Sequence, residues 1–357
     1  MKRIRLLLIG HLSEKVSGSS ISFKYLVENL LSDDRVELQV VNTRRPLRFT
    51  SNPLVNLAVA VRVTTNILLS AYRQDVITFH ASRSAMLTYG PIIFGLTRLF
   101  RKPLVLHLFG GTFEENYTTL SVISKFIVDH TILRAELFLL QTKKLVGFFE
   151  DIGRDVKWYS TSRKMQEIPS SFKCSTDKCS HYVFLGRIIK EKGVDIILDS
   201  VQYYKDLKIT IDIFGSLEGD YTTQYFEAKG KGIVHYKGIL PADQVHEVLL
   251  NYDALILPTF YEGEGYPGVI IEAYGAGLPV ITTKWKSIPE IVDTKSGILI
   301  PPKSSKALAQ AINNLYVDDE LYRRLKEGAI EKREKFSDHY WTNKFVQWCM
   351  ELMHSAG

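Results

Sequence analysis

Cysteine is nearly absent from this chain: three in 357 residues, Cys174, Cys179 and Cys349. An odd, widely spaced trio builds no disulfide framework. Cys174 and Cys179 stand at C-x4-C spacing with no second pair, so a zinc site is not expected. This usage fits a reduced compartment, and a cytoplasmic location is expected. Long uncharged apolar runs are also missing. The nearest, residues 53–72, is interrupted by Arg62, which argues against a transmembrane helix. The start MKRIRLLLIGHL is basic, but its apolar run is short and closes on Gly-His, unlike a signal peptide. No G-x-G-x-x-G follows the first strand, which weakens a dinucleotide-dependent oxidoreductase. Neither a zinc-finger spacing nor an aromatic RNA-binding strand occurs, so no nucleic-acid partner is expected. No metal-ligand cluster, internal repeat or low-complexity tract is apparent.

What is present suits two ordinary globular domains. The length is twice that of a typical domain, and 45% apolar residues suffice for two cores. Charge is uneven. Residues 1–165 carry 23 Lys+Arg against 13 Asp+Glu, a net +10, and the remainder nets −4. The basic half suits anionic lipid headgroups or a phosphorylated acceptor. Apolar-rich stretches at 54–72 and 85–100, studded with Arg62, Arg73, Arg83 and Arg98, suggest reversible peripheral membrane association.

Short apolar runs at 4–9, 37–41, 76–80, 104–108 and 137–141 read as strands. They alternate with helical periodicity at 22–31, 53–72 and 84–100, the last expected to kink or break at Gly90-Pro91. Further strands are expected at 158–160, 182–185, 209–214, 254–257, 279–282 and 297–302. Helices are expected at 243–252 and 337–353, and residues 305–335 are expected to be helical. Such alternation predicts an α/β chain of doubly wound parallel sheets. The domain boundary is placed near 170, within a polar connection over 151–180. The expected units are 1–170, 171–336 and a last helix, 337–357, crossing back to the first domain.

The chemistry concentrates in 254–283, ALILPTFYEGEGYPGVIIEAYGAGLPVITT. It reads as strand, glycine-rich loop, helix, strand. Ligands of doubly wound sheets bind beyond the carboxyl ends of the strands, where this loop lies. Glycines allow close backbone approach, and Glu264 and Glu272 can accept hydrogen bonds from sugar hydroxyls. Upstream, Gly186-Arg187 and Lys192-Gly193 flank a second loop. An Arg and a Lys held by glycines can stabilise the charge that develops on a diphosphate leaving group.

Glu264, seven residues, then Glu272, followed by Ala-Tyr-Gly-Ala-Gly-Leu-Pro-Val-Ile, resembles the donor-site signature of retaining GT-B glycosyltransferases of the GT4 family. Gly186-Arg187-Ile-Ile-Lys-Glu-Lys192-Gly193 resembles the same family's G-R-x4-K-G motif. Glu262 competes for the first glutamate, but its separation from Glu272 is ten. The resemblance implies two Rossmann-like domains facing a cleft. The N-terminal domain would bind the acceptor and the C-terminal domain a nucleotide-diphospho-sugar. It implies transfer of a sugar to a hydroxyl of a saccharide or lipid-linked acceptor, in surface polysaccharide biosynthesis. Configuration would be retained and no metal required. Arg187 and Lys192 would grip the diphosphate, Glu264 would meet the donor sugar and Glu272 the ribose. Gly18, Gly186, Gly215, Gly238, Gly265, Tyr266, Pro267 and Gly268 would line the donor site. The family's usual histidine position is held by Phe109, with His107 one pleat repeat earlier; His107 is the candidate for that catalytic role, and a structural role is its alternative. A non-catalytic nucleotide-sugar-binding protein is the other functional reading.

Overall fold

The computed structural model describes residues 3–12, 18–44, 53–81, 83–111, 113–169, 178–204 and 207–355. The chain divides into two compact units, Met1–Ser162 with Asp338–Gly357, and Arg163–Ser337. The second therefore starts at Arg163 rather than near 170. Ser17, in the first loop, and Cys174 lie outside the described residues.

In the first unit the strands are β1 (Ile4–Gly10), β2 (Val36–Asn42), β3 (Val76–Ala81), β4 (Leu104–Leu108), β5 (Leu137–Leu140) and β6 (Val156–Trp158). They form one parallel sheet ordered β2-β1-β3-β4-β5-β6, a flavodoxin-like arrangement. Its helices are α1 (Gly18–Leu31), α2 (Pro53–Ala71), α3 (Arg83–Leu99), α4 (Phe113–Thr118), α5 (Val122–His130) and α6 (Lys143–Asp151). The second unit contains β7 (His181–Leu185), α7 (Val194–Ser200), β8 (Thr210–Phe214), α8 (Thr223–Gly230), β9 (Val234–Gly238), α9 (Val245–Leu249) and β10 (Ala254–Leu257). It continues with α10 (Gly268–Gly275), β11 (Val280–Thr283), β12 (Gly297–Ile300), α11 (Ser305–Val317) and α12 (Asp319–Lys332). The last helix, α13 (Asp338–Ser355), belongs to the first unit.

Side chains of a strand alternate between faces, so a strand covered on both sides reads as continuously apolar. β1 obeys this rule. Ile4, Leu6 and Leu8 enter one core with Phe23 and Leu26 of α1 and with Trp341 and Phe345 of α13. Leu7 and Ile9 enter the other, with Val63 and Ile67 of α2, Ile93 of α3, Val128 of α5 and Phe149 of α6.

Two expectations are corrected, at α3 and at 243–252. Helix α3 runs unbroken through Pro91, and Gly90 beside it lies close to Ile132, where an added Cβ would stand 3.2 Å from that residue's Cβ. The span 305–335 is helical as expected, in two helices divided at Asp318, whose carboxylate accepts from Leu321 N and caps α12. The helix expected at 243–252 is confined to Val245–Leu249.

His107 is buried on β4. Its ring lies 4.3 Å from that of Phe109 and 4.6 Å from that of Tyr159, centroid to centroid. Its Nδ1 is 3.0 Å from Nδ1 of His80, so one ring donates and the other accepts. His80 Nε2 is 3.1 Å from Thr78 Oγ1, whereas His107 Nε2 is buried without a hydrogen-bond partner. Burial pushes the His107 pKa down to about 3. His80 is also held well below its ordinary value, first by burial and then by the neighbouring His107. This geometry supports a packing role for His107, in place of contact with a ligand. A histidine whose folded pKa is depressed favours folding above its unfolded pKa of about 6.5, and that contribution is lost as pH falls toward about 3. By linkage His107 should cost about 2 kcal/mol of stability between pH 6.5 and pH 5. Urea unfolding across this range should show a shallower decline for His107→Asn than for the unmodified chain. Parallel declines would contradict the buried neutral state.

Candidate functional site

The second sheet is ordered β12-β11-β10-β7-β8-β9, all parallel. Counted from β7, this is the strand order of a dinucleotide-binding Rossmann sheet, and its direction reverses between β7 and β10. At such a switch point the loops leaving the two strands diverge and open a crevice beyond their carboxyl ends. The loops are 186–193 and 258–267.

Glycine brings these loops together. Gly193 has φ +84°, and a Cβ there would stand 2.2 Å from the Pro258 carbonyl oxygen. A side chain would therefore push the β7 loop off the end of β10 and strain the backbone. Below this contact Phe260 N donates to Glu191 O at 2.7 Å. Lys192 then reaches across: its Nζ donates to Glu264 Oε2 at 2.7 Å and Oε1 at 3.0 Å. Thr259 Oγ1 donates to the same Oε2 at 2.8 Å. The Lys192 side chain is 14% exposed and that of Glu264 7%. Desolvating two such charges is costly, and the pair is tolerated because its geometry and hydrogen bonds are good. Glu262 does not compete for this position. Its side chain is 74% exposed and pairs outward with Lys286 at 2.8 Å.

Arg187 stands at the rim, half-exposed, with a loose 3.7 Å approach to Glu218. Its guanidinium lies 5.3 Å from the centroid of the Tyr261 ring, and Lys192 Nζ lies 5.2 Å from the same ring. Tyr261 thus gathers both cations on one aromatic ring. The ring's own backbone is fixed by Trp285, whose Nε1 donates to Tyr261 O at 2.8 Å.

The glycines of the adjoining loops lie at the ends of neighbouring strands. Gly186 N donates to Phe214 O at 3.1 Å, and Gly215 N donates to Gly238 O at 2.8 Å. A Cβ on Gly215 would stand 1.7 Å from Gly186 O, so the ends of β7 and β8 touch through bare backbone. Gly265, Tyr266, Pro267 and Gly268 carry the chain from Glu264 into α10. Tyr266 is buried and donates to Glu290 Oε2 at 2.5 Å. Pro267 caps the helix and Gly268 is its first residue. Glu272, one turn on, accepts from Arg163 Nε at 2.6 Å.

Of the expected site residues, Lys192 and Glu264 meet directly at the switch point, and Arg187 shares the Tyr261 ring with Lys192. Gly186, Gly215, Gly238, Gly265, Tyr266, Pro267, Gly268 and Glu272 belong to the same unit, on strand ends, the β10 loop and α10. Gly18, which opens α1, and His107 belong to the first unit. Thr259, Tyr261 and Arg163 were not singled out from the sequence. Thr259 sits in the Leu-Pro-Thr that precedes the signature, a signal that was readable. Arg163 is 109 positions from its partner and carried none. Among the described residues, no three His, Cys, Asp or Glu side chains come together to hold a metal ion.

Residues 175–332 match the family model described as Glycosyl transferases group 1. The matched segment is less than half of the chain. The group 1 segment contains the Arg187, Lys192, Glu264 and Glu272 positions, while Arg163 precedes it. Among individual proteins, the chain is 25% identical over 264 residues to chitobiosyldiphosphodolichol beta-mannosyltransferase of Candida albicans, covering 70% of this chain and 55% of that protein. It is 30% identical over 141 residues to a putative teichuronic acid biosynthesis glycosyltransferase, TuaC of Bacillus subtilis, covering 40% of this chain and 34% of that protein. The chain thus spans about half the length of the first of these relatives and a third of the second. The crystal structure of Anabaena Alr3699/HepE in complex with UDP superposes with a TM-score of 0.74 at 17% identity, covering 98% of this chain and all of that one. The fold is GT-B, built of two Rossmann-like units.

Proposed function

We propose that this chain is a glycosyltransferase that moves a sugar from a nucleotide-diphospho-sugar to a hydroxyl of a saccharide or lipid-linked acceptor, in surface polysaccharide biosynthesis. The observation that carries this reading is the pairing of Lys192 with Glu264 at the switch point, with Arg187 beside Lys192 on the Tyr261 ring, in the segment that matches the group 1 model. The names of the two relatives, one acting on a lipid-linked diphosphate saccharide and one in teichuronic acid biosynthesis, support the acceptor class. The UDP in the Anabaena structure supports the donor class.

In this reading the sugar's anomeric carbon–oxygen bond breaks and its electron pair goes to the departing phosphate oxygen. Arg187, held at the rim by Tyr261, stabilises that charge. Lys192 has three N–H donors; Glu264 takes two, and the third serves the phosphate. Glu264 thereby acts on the donor sugar and on the aim of Lys192 together. The acceptor hydroxyl adds to the anomeric carbon on the face from which the phosphate leaves, and its proton passes to that phosphate, so configuration is retained. The cations serve in place of a metal ion, and the transferred group is a hexose.

We place the enzyme in the cytoplasm, at the inner face of the membrane. Among the described residues no helix is long and apolar enough to cross a membrane. Three helices of the first unit nonetheless expose apolar side chains. Val122, Ile123 and Phe126 of α5 are 86%, 74% and 61% exposed, and Leu68, Leu69, Ile92 and Leu99 of α2 and α3 are exposed as well. Arg73 and Arg98 lie over the rings of Tyr72 and Phe94; Arg98 is held by Glu136 at 2.6 Å, and Arg73 is the one of the two whose charged head we assign to anionic lipid. The stretches that suggest membrane contact in the sequence are α2 and α3, and α5 is not among them. The side chain of Arg83, at the start of α3, lies outside the described residues.

Two tests follow. Incubated with labelled UDP-, GDP- and ADP-sugars and a lipid-linked saccharide, the chain should transfer one sugar, keep its anomeric configuration by NMR, and work in EDTA. Arg187→Ala should lower turnover at saturating donor by roughly a hundredfold. Wild-type turnover in that variant would remove Arg187 from the reaction, and donor binding without transfer would leave a non-catalytic binding protein. Separately, the chain should sediment with anionic vesicles at low salt, less at high salt, and weakly with neutral ones. Ile123→Ser with Phe126→Ser should reduce recovery at every salt concentration. Equal recovery of both proteins would contradict docking through α5.

A further inference from the structure

Arg163 is the first residue of the second unit, and only 4% of its surface is exposed. An arginine is rarely so buried unless its donors are engaged. Its Nε donates to Glu272 Oε1 at 2.6 Å. The guanidinium also covers the start of α10: a Cβ on Gly268 would stand 1.7 Å from its Nη2. The glycine that opens the helix is thus required by a side chain arriving from 105 positions earlier in the chain. The backbone beneath Arg163 is itself fixed. Its N–H donates to Phe336 O at 3.0 Å, and the residue bridges Ser337, where the chain leaves the unit. The residues that follow continue along the same helix and the turn beyond it. A Cβ on Gly275 would stand 3.4 Å from Met165 Sδ, and one on Gly277 3.1 Å from Ile168 Cδ1. Residues 163–168 therefore form a strap across the Gly-rich face of α10, with Arg163 at the end that carries Glu272.

We propose that Arg163 is a positioning residue for the donor site: it fixes the carboxylate of Glu272 and the Gly268 backbone in the orientation that receives the ribose of a nucleoside diphosphate. This rests on the reading of Glu272 as a ribose ligand given above. A glutamate on an open helix surface samples several rotamers, and holding it in one before the ligand arrives removes that ordering cost from binding. The planar guanidinium does this with a directed N–H and at the same time fills the space over Gly268, which a lysine does only in part.

The test is isothermal titration of UDP, GDP and ADP into the full chain, followed by transfer kinetics with the sugar of the tightest binder. Arg163→Met should weaken that nucleotide roughly tenfold, the scale of one charged hydrogen bond. It should raise the KM for donor with little change in kcat, and Arg163→Lys should recover part of the loss. In a Glu272→Gln background, Arg163→Met should add no further loss, because the positioned group is already altered. Melting temperatures of each variant separate folding from binding. If Arg163→Met lowers the melting temperature and leaves nucleotide affinity unchanged while Glu272→Gln weakens it, Arg163 is a packing clasp only and the proposal is wrong. If neither variant affects nucleotide affinity, the ribose role of Glu272 falls and this inference falls with it. Should Arg163→Met fail to fold, unchanged affinity and KM in Arg163→Lys contradict the proposal in the same way.

Discussion

The buried contact of Lys192 with Glu264 is the interaction on which the second unit's site depends. It joins two loops that leave neighbouring strands at the one place in the sheet where strand order reverses. Such loops have no hydrogen-bond ladder between them, so they diverge unless something ties them. Here the tie is an ion pair with a threonine hydroxyl on the same carboxylate oxygen, and a glycine that lets the two backbones touch. The asymmetry of buried charge makes this a firm device. Each partner is tolerated only because the other is present, and loss of either leaves a charge in a place that water reaches poorly. The pair also accounts for the spacing of the surrounding residues. Arg187 stays half-exposed at the rim, where Tyr261 aligns it with Lys192, and the loop floor is pinned by Trp285.

Much of this was legible in the sequence because parallel strands buried on both faces are continuous apolar runs. The run at 254–257 coincides with β10, and 104–108 with β4. The glycines and cations after β7 and the glutamates after β10 were likewise readable, since the chemistry of phosphate and sugar recognition restricts residue type. Local punctuation was less dependable. Pro91 signals a break, yet α3 continues through it, packed against Ile132 and the apolar face of the first sheet. There the burial of Tyr89 and Ile93 on either side outweighs the single hydrogen bond that proline removes.

Residues whose role depends on a distant partner were not legible. Arg163 falls in a stretch that reads as a connection between domains, and nothing near it in sequence announces Glu272. His107 looked like a ligand-facing residue because strand parity places it with Phe109. Parity is the same for the core, and the aromatic rings of Phe109 and Tyr159 and the ring of His80 enclose it. The exposed face of α5 escaped notice for the converse reason. Val122, Ile123, Phe126 and Ile127 are apolar residues of the kind that fill cores, yet Val128 alone of that helix is buried. Pattern tells which residues share a face, and only packing tells whether the face is covered.

The most direct test of the central claim, that the switch point of the second unit holds a nucleoside diphosphate, is amide hydrogen exchange on the whole chain. It is measured with and without the nucleotide that binds most tightly. Bound nucleotide should slow exchange in residues 186–193 and 258–272 and leave the first sheet's strands unchanged. Binding with no added protection in either loop would contradict the account.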